Sequence, residues 1–131
     1  MRALVVLSIL ALLATPALAG KPSVKSMPPV VVKTVPVSGD TAVNANLKEI
    51  KVTFSKDMKT KQMWSFVKVS KDTFPKVGQP KYKDKRTIVL PVTLQPKKTY
   101  AIWINSSGKH NSFRDANNNP AVPYLLAFET K

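Results

Sequence analysis

Glu49-Ile50-Lys51-Val52-Thr53-Phe54 alternates apolar and polar residues without a break. In an extended chain Ile50, Val52 and Phe54 share one face, while Lys51 and Thr53 share the other. A helix, whose faces recur every 3.6 residues, would scatter these three around its axis. The same period of two returns on either side of this stretch. Upstream, Val30-Val31-Val32-Lys33-Thr34-Val35 is rich in β-branched residues and predicts a first strand. Downstream, Phe66–Ser70 predicts a strand with Val67 and Val69 inward, and Lys76–Tyr82 a weaker one, bent or begun at Pro80. Thr87–Val92 places Ile88, Leu90 and Val92 together, Thr99–Asn105 places Tyr100, Ile102 and Ile104 together, and Tyr124–Thr130 turns Leu126 and Phe128 inward. Pro91 has no amide hydrogen for a ladder, so its strand is expected at a sheet edge. Gly39-Asp40 and Lys83-Asp84-Lys85-Arg86 read as turns. Only Lys59–Trp64 has the makings of a helical turn. Seven short, evenly spaced strands imply an all-β chain folded as an antiparallel β-sandwich, with no internal repeat.

The N-terminal end reads differently. Arg2 precedes an apolar run, Ala3–Leu13, interrupted only by Ser8, and Ala17-Leu18-Ala19 forms a small-x-small site before Gly20. This is the pattern of a secretory signal peptide over residues 1–19, and it places the protein in the periplasm or outside the cell. The rival reading, an uncleaved anchor, fits the flanks less well. The run is also short of the about 20 residues of a membrane-spanning helix, so no span is expected after cleavage. Residues 20–29, with Lys21-Pro22-Ser23-Val24-Lys25-Ser26-Met27-Pro28-Pro29, are expected to form a flexible Pro-rich leader. The sandwich domain is expected over 30–131.

The chain has 131 residues, and 21 Lys+Arg face 7 Asp+Glu. Residues 1–19 hold one of the basic residues and none of the acids, so 20 basic and 7 acidic residues remain, a net charge of +13. A field of that strength draws anionic partners and keeps copies apart, so a monomer is expected. Candidate partners outside the cytoplasm are anionic polysaccharide, lipid headgroups or an envelope protein. The same charge can also serve solubility alone. There is no specific nucleic-acid motif. With no Cys in the chain, a disulfide or a Cys-ligated metal is impossible, and a 44% hydrophobic fraction must supply the core.

Five short patterns, in order, resemble the bacterial Ig-like domain of S-layer and other secreted surface proteins, the SbsA type. Pro36-Val37-Ser38-Gly39 resembles its P-x-x-G, and Val52-Thr53-Phe54-Ser55-Lys56-Asp57-Met58 its V-x-F-S-x-x-M. Leu94-Gln95-Pro96-Lys97-Lys98-Thr99-Tyr100 resembles its L-x-P-x-x-x-Y, Asp115-Ala116-Asn117-Asn118-Asn119-Pro120 its D-x-x-G-N-P, and Phe128-Glu129-Thr130 its closing F-x-T. The resemblance spans about Val31–Thr130 and implies an Ig-like β-sandwich of about seven antiparallel strands. Local physical chemistry agrees with these pieces. Met58 is expected to fold back and cap the core. Tyr100 is expected to form a tyrosine corner with backbone a few residues upstream. Asp115–Asn119 suits Asx turns, and Asn118 replaces the family's Gly with the residue type that best tolerates a left-handed turn.

Residues able to do chemistry are few. His110 is the only His and sits in Ser106-Ser107-Gly108-Lys109-His110-Asn111, but neighbours in a loop do not make a triad. The acids outside 1–19 are Asp40, Glu49, Asp57, Asp72, Asp84, Asp115 and Glu129, all expected in turns, on an outward face or at a strand end. A buried pair for glycoside hydrolysis is therefore not expected. Asp115, Asn117 and Asn119 have the rhythm that opens a calcium loop, without its glycine or its closing Glu. One His and few Met leave little for zinc or copper. No catalytic residue, metal site or cofactor is expected.

The basic surface remains. Lys81, Lys83, Lys85 and Arg86 cluster within six residues, Lys97-Lys98 forms a second group, and Lys56, Lys59 and Lys61 a third. Trp103, of opposite parity to Tyr100 and Ile102, either lies exposed on a strand face or sits under a loop. The expected ligand-binding residues are Lys81, Lys83, Lys85, Arg86, Lys97, Lys98 and Trp103. The expected function is an exported, non-catalytic binding or accessory module for anionic envelope polymers. The alternatives are a small secreted enzyme or enzyme inhibitor using the 106–119 loop, and a structural subunit of an extracellular layer. Tyr82 is expected inward.

Overall fold

The computed structural model describes residues 21–131, so the signal peptide expected over 1–19 lies outside the described residues. Eight strands follow one another: β1 (Val31–Val35), β2 (Glu49–Phe54), β3 (Phe66–Lys68), β4 (Lys76–Val77), β5 (Lys81–Tyr82), β6 (Thr87–Thr93), β7 (Thr99–Ile104) and β8 (Tyr124–Glu129). They form two antiparallel sheets. The larger has the order β1-β2-β6, with β4 and β5 both on the far edge of β6, and the smaller has the order β3-β7-β8. Among the described residues no helix is long and apolar enough to cross a membrane.

The alternating residues line the space between the sheets. Ile50, Val52 and Phe54 from β2, Ile88, Leu90 and Val92 from β6, Tyr100, Ile102 and Ile104 from β7, and Leu126 and Phe128 from β8 are all buried there. Register holds them in layers: Ile50 pairs with Leu90 and Val52 with Ile88, while Tyr100 pairs with Phe128 and Ile102 with Leu126. Met58 caps this core and is 5% exposed.

The quoted motifs close the sandwich at its seams. The Ser38 hydroxyl donates to the Leu125 carbonyl (3.1 Å) and accepts from the Ala127 amide (3.1 Å), and Gly39 N–H donates to the Ala127 carbonyl. The P-x-x-G segment thus covers the open edge of β8. The Tyr100 hydroxyl accepts the Gln95 amide hydrogen at 2.8 Å, as a tyrosine corner requires. Thr130 ties β8 to the same corner, donating its amide to the Lys98 carbonyl and accepting the Lys98 amide at its hydroxyl.

Four expectations need correction. The strand at Phe66 has the opposite parity. Phe66 packs edge-on against Phe113, with ring centres 5.1 Å apart, while Val69 is 49% exposed. Lys68 shares the parity of Phe66 but is exposed, with its ammonium 5.5 Å from the centre of the Phe74 ring. Pro91 is not on an edge strand, since β6 lies between β2 and β4/β5. Its ring nitrogen faces the gap between β4 and β5, where the neighbouring chain leaves the ladder at Gly78-Gln79-Pro80. There Gly78 donates to the Pro91 carbonyl at 2.9 Å, and a Cβ on Gly78 would sit 3.0 Å from that of Pro91. Lys59–Trp64 forms no helical turn. Asp115 is in a turn but is fully buried.

The connection from β7 to β8 is long and irregular, yet it is packed. Asn105, at φ 57° and fully buried, donates its side-chain amide to the carbonyls of Phe113 (2.9 Å) and Ala121 (3.1 Å) and accepts the Phe113 amide hydrogen (2.9 Å). Phe113 is thereby held between Phe54 and Phe66, with both ring-centre distances 5.1 Å. Tyr100→Phe should cost about 1–3 kcal/mol, because it leaves the Gln95 amide without its acceptor. Phe113→Ala should cost about 3–5 kcal/mol. Urea denaturation of each variant checks both, and a Tyr100→Phe protein as stable as the parent would contradict the corner.

Candidate functional site

The register of the larger sheet determines which lysines meet. On its outer face Val35 (β1) stands beside Lys51 (β2), Lys51 beside Val89 (β6), and Val89 beside Lys81 (β5). One rung further along, Lys33 stands beside Thr53 and Thr53 beside Thr87, whose carbonyl accepts the amide of Lys83. Four lysines from three strands and the β5–β6 hairpin thus share one face. Adjacent strands lie about 4.8 Å apart, so Lys51 and Lys81, two strands apart, are separated by roughly 10 Å at the backbone. That spacing lets each ammonium stay hydrated and clear of its neighbours.

Two shallow depressions share lining residues on this face, and a third adjoins them at the β5 edge. One is lined by Lys33, Lys51 and Lys83 with Asp84. The next shares Lys51 and Lys83 with it and adds Glu49, Lys81 and Pro91. The third shares Gln79, Lys81 and Tyr82 with the second and ends at Lys61, Gln62 and Trp64. Together the three form a groove whose lining holds five lysines, Lys33, Lys51, Lys61, Lys81 and Lys83, and two carboxylates, Glu49 and Asp84. Glu49 lies 3.8 Å from Lys51. The Asp84 carboxylate is turned into its own hairpin, where Oδ1 accepts the amides of Arg86 (2.8 Å) and Thr87 (2.9 Å). These hydrogen bonds, that of Arg86 foremost, together with a smaller pull from the Lys83 charge, hold its carboxyl below the usual aspartate value. Among the described residues Lys33, Lys81 and Lys83 have no carboxylate at ion-pair distance.

The residues expected from sequence do not form one site. Lys81 and Lys83 line the groove. Lys85 and Arg86 sit at the hairpin tip, and Arg86 turns away to Asp57 (2.9 Å) and the Ser55 carbonyl (3.2 Å). Lys97 and Lys98 lie beyond the other end of β6, about 20 Å from that tip at 3.3 Å per residue, and the Lys98 ammonium rests 5.5 Å from the Tyr100 ring centre. Trp103 is half-buried on the outer face of the smaller sheet, between Val67 and the 41%-exposed Leu125. The missed contributors are Lys33, Lys51, Lys61 and Trp64. The outward parity of Lys51 was visible in the sequence, whereas its alignment with Lys33 and Lys81 needed the strand order.

The loop with the calcium-like rhythm is closed by a tethered cation. Asp115 Oδ2 accepts from the Lys56 ammonium at 2.6 Å and from the Asn119 side chain at 3.1 Å, and Oδ1 accepts the amides of Asn117 and Asn119, both at 2.9 Å. Asn118 has the left-handed φ of 69° that its residue type allows. Lys56 directs its other hydrogens to the carbonyls of Lys25 (3.0 Å) and Met27 (2.9 Å). Part of the segment expected to be a flexible leader is thus fastened to the domain. His110 is exposed, and its carbonyl accepts from Ser106 at 2.7 Å. Burial pushes the Tyr82 phenol up, which keeps it protonated, and its hydroxyl donates to the Met63 carbonyl at 3.4 Å.

Burial alone would raise the Asp115 carboxyl, but the Lys56 and Asn119 hydrogen bonds and the Lys56 charge outweigh it and hold the carboxyl below its ordinary value. A depressed folded value gives stability that is full above the unfolded value, about 3.9, and is lost as pH falls through the folded one. Asp115→Asn should cost roughly 3–5 kcal/mol at pH 7 by stranding Lys56, and should flatten the acid limb of stability below about pH 4. Denaturant midpoints measured from pH 7 down to pH 2 check both, and an unchanged acid limb would contradict the assignment.

A family model described as bacterial Ig-like domain matches residues 25–130. Two solved structures share the fold. The crystal structure of the S-layer protein rSbsC(31-844) is 18% identical with a TM-score of 0.50, over 80% of this chain and 14% of that one. The structure of surface layer protein SbsC, domains 1-6, is 16% identical with a TM-score of 0.50, over 79% and 14%. The chain therefore spans about one seventh of the length of either. No curated protein matches.

Proposed function

The chain belongs to the bacterial Ig-like domain family, and from that premise we propose that it is an exported accessory module that holds anionic polymers of the cell envelope along its lysine groove. The observation that carries this reading is the set Lys33, Lys51, Lys81 and Lys83 on one outer face, three of them with no carboxylate at ion-pair distance among the described residues. A shallow, open surface suits an extended polymer, which lies along it, and several ammonium groups on one face suit a repeating anion. The N-terminal signal pattern supports the compartment, and the five ordered motifs support the SbsA type within the family. Binding of this kind is driven by release of counterions and falls steeply with salt.

A second reading, a subunit of an extracellular layer, draws on the apolar row Val67–Trp103–Leu125 on the opposite outer face. Light scattering at high protein concentration separates it, since a strict monomer there removes it.

Replacing Lys33, Lys51, Lys81 and Lys83 together with Gln should abolish most retention on an anionic polysaccharide resin. The slope of log affinity against log salt should become shallower by about three to four, close to one for each ammonium removed. Replacing Lys97 and Lys98 should change little. Equal retention of the parent protein on neutral and anionic resin would overturn the reading.

A further inference from the structure

We propose that the Trp64 end of the groove is a saccharide subsite that takes a pyranose bearing a carboxylate, a uronic acid residue of an acidic polysaccharide. The inference rests on the anion-binding reading of the groove and adds the chemistry of the monomer. Trp64 and Tyr82 are half-buried, each packed against the core on one side and lining the depression on another. The Tyr82 hydroxyl bond to the Met63 carbonyl fastens β5 to the residue next to Trp64, and both side chains line the same depression. Gln62, between Lys61 and Trp64, has φ 53°, a left-handed conformation that non-glycine residues seldom adopt and that tends to cluster at ligand-binding loops.

The rim decides the ligand. A site for bare anions needs donors only. Here the carboxamides of Gln62 and Gln79 line the same depression, and among the described residues neither has a side-chain hydrogen-bond partner. A carboxamide both donates and accepts, which matches a sugar hydroxyl, itself donor and acceptor. The aromatic surfaces offer an apolar platform with a polar edge for the C–H face of a pyranose. Lys61 and Lys81 flank it and supply the counter-charge for a carboxylate. A single-stranded nucleic acid also uses aromatic platforms, but it stacks successive bases on a row of them. Trp64 and Tyr82 are the aromatic residues of this depression, and the lining beyond it adds no further aromatic side chain: it has lysines, Val35, Val89, Pro91 and threonines, with the carboxylates of Glu49 and Asp84.

The test uses the exported portion with three immobilised polyanions: polygalacturonate, polyphosphate and oligo-dT. Trp64→Ala should weaken polygalacturonate binding about tenfold, the scale set by one aromatic ring, and leave polyphosphate binding unchanged. Trp64→Phe should restore most of it. Gln79→Ala, at an exposed position, should weaken polygalacturonate selectively without altering the melting temperature. In a Trp103→Phe background, Trp64 fluorescence should shift with galacturonate oligomers and not with polyphosphate. If the parent binds both polyanions and neither Trp64→Ala nor Gln79→Ala discriminates between them, the subsite is overturned while the groove stands. If the parent binds neither, the groove falls and the subsite with it. Tighter, Trp64-dependent binding to oligo-dT would make it a base-stacking site and overturn the glycan assignment.

Discussion

The closed end of the sandwich depends on one buried carboxamide. Phe113 belongs to no strand, yet it fills the space between Phe54 on one sheet and Phe66 on the other. An aromatic ring on an irregular connection would ordinarily bring unpaired main-chain groups into the core. Asn105 meets that difficulty by bonding both the amide and the carbonyl of Phe113, and the carbonyl of Ala121 as well. Three hydrogen bonds in a dry place replace the missing ladder. The left-handed φ of Asn105 is the conformational cost of aiming that side chain back under its own loop.

The same connection is fastened a second time at Asp115, and there the chain uses charge instead of amide chemistry. A buried carboxylate is costly unless its lone pairs are occupied. Four donors occupy those of Asp115, and the ammonium among them also gathers the carbonyls of Lys25 and Met27. Lys56 therefore joins three distant stretches of sequence at one atom. Such a cage of oxygens around a cation is what the Asp-x-Asn-x-Asn rhythm suggests for a metal. Here the cation is carried by the chain itself, from the turn that follows β2.

What could be read from the sequence was what period and local chemistry encode. Strand faces at Ile50–Phe54, Ile88–Val92 and Tyr100–Ile104, the tyrosine corner and the Asx turns all have causes within a few residues. At Phe66 two valines outweigh one phenylalanine in the sequence pattern, and Lys68, on the phenylalanine's parity, stays exposed beside Phe74. The partner of Asp115 lies 59 residues away. Phe113 carried no periodic signal at all. The groove was half legible: Lys81 and Lys83 stood out as a local cluster, whereas Lys33 and Lys51 join them only through cross-strand register, which no single strand contains.

One irregularity links the fold to the groove. Pro91 lies in the middle of β6, and on the side its nitrogen faces, a neighbouring strand has no donor to meet. The chain responds by leaving the ladder at Gly78-Gln79-Pro80, close against the proline ring, and returning at β5. A broken, lysine-bearing edge of this kind is a poor template for pairing with another sheet edge. The break also brings Gln79 to the place where the Trp64 depression meets the lysine face, since Gln79 lines both. Restoring a regular strand there, by replacing Pro91 with a residue that has an amide hydrogen, would remove the cause of the break. The core beneath is anchored by Leu90 and Val92, so it would tolerate that change more readily than the groove would.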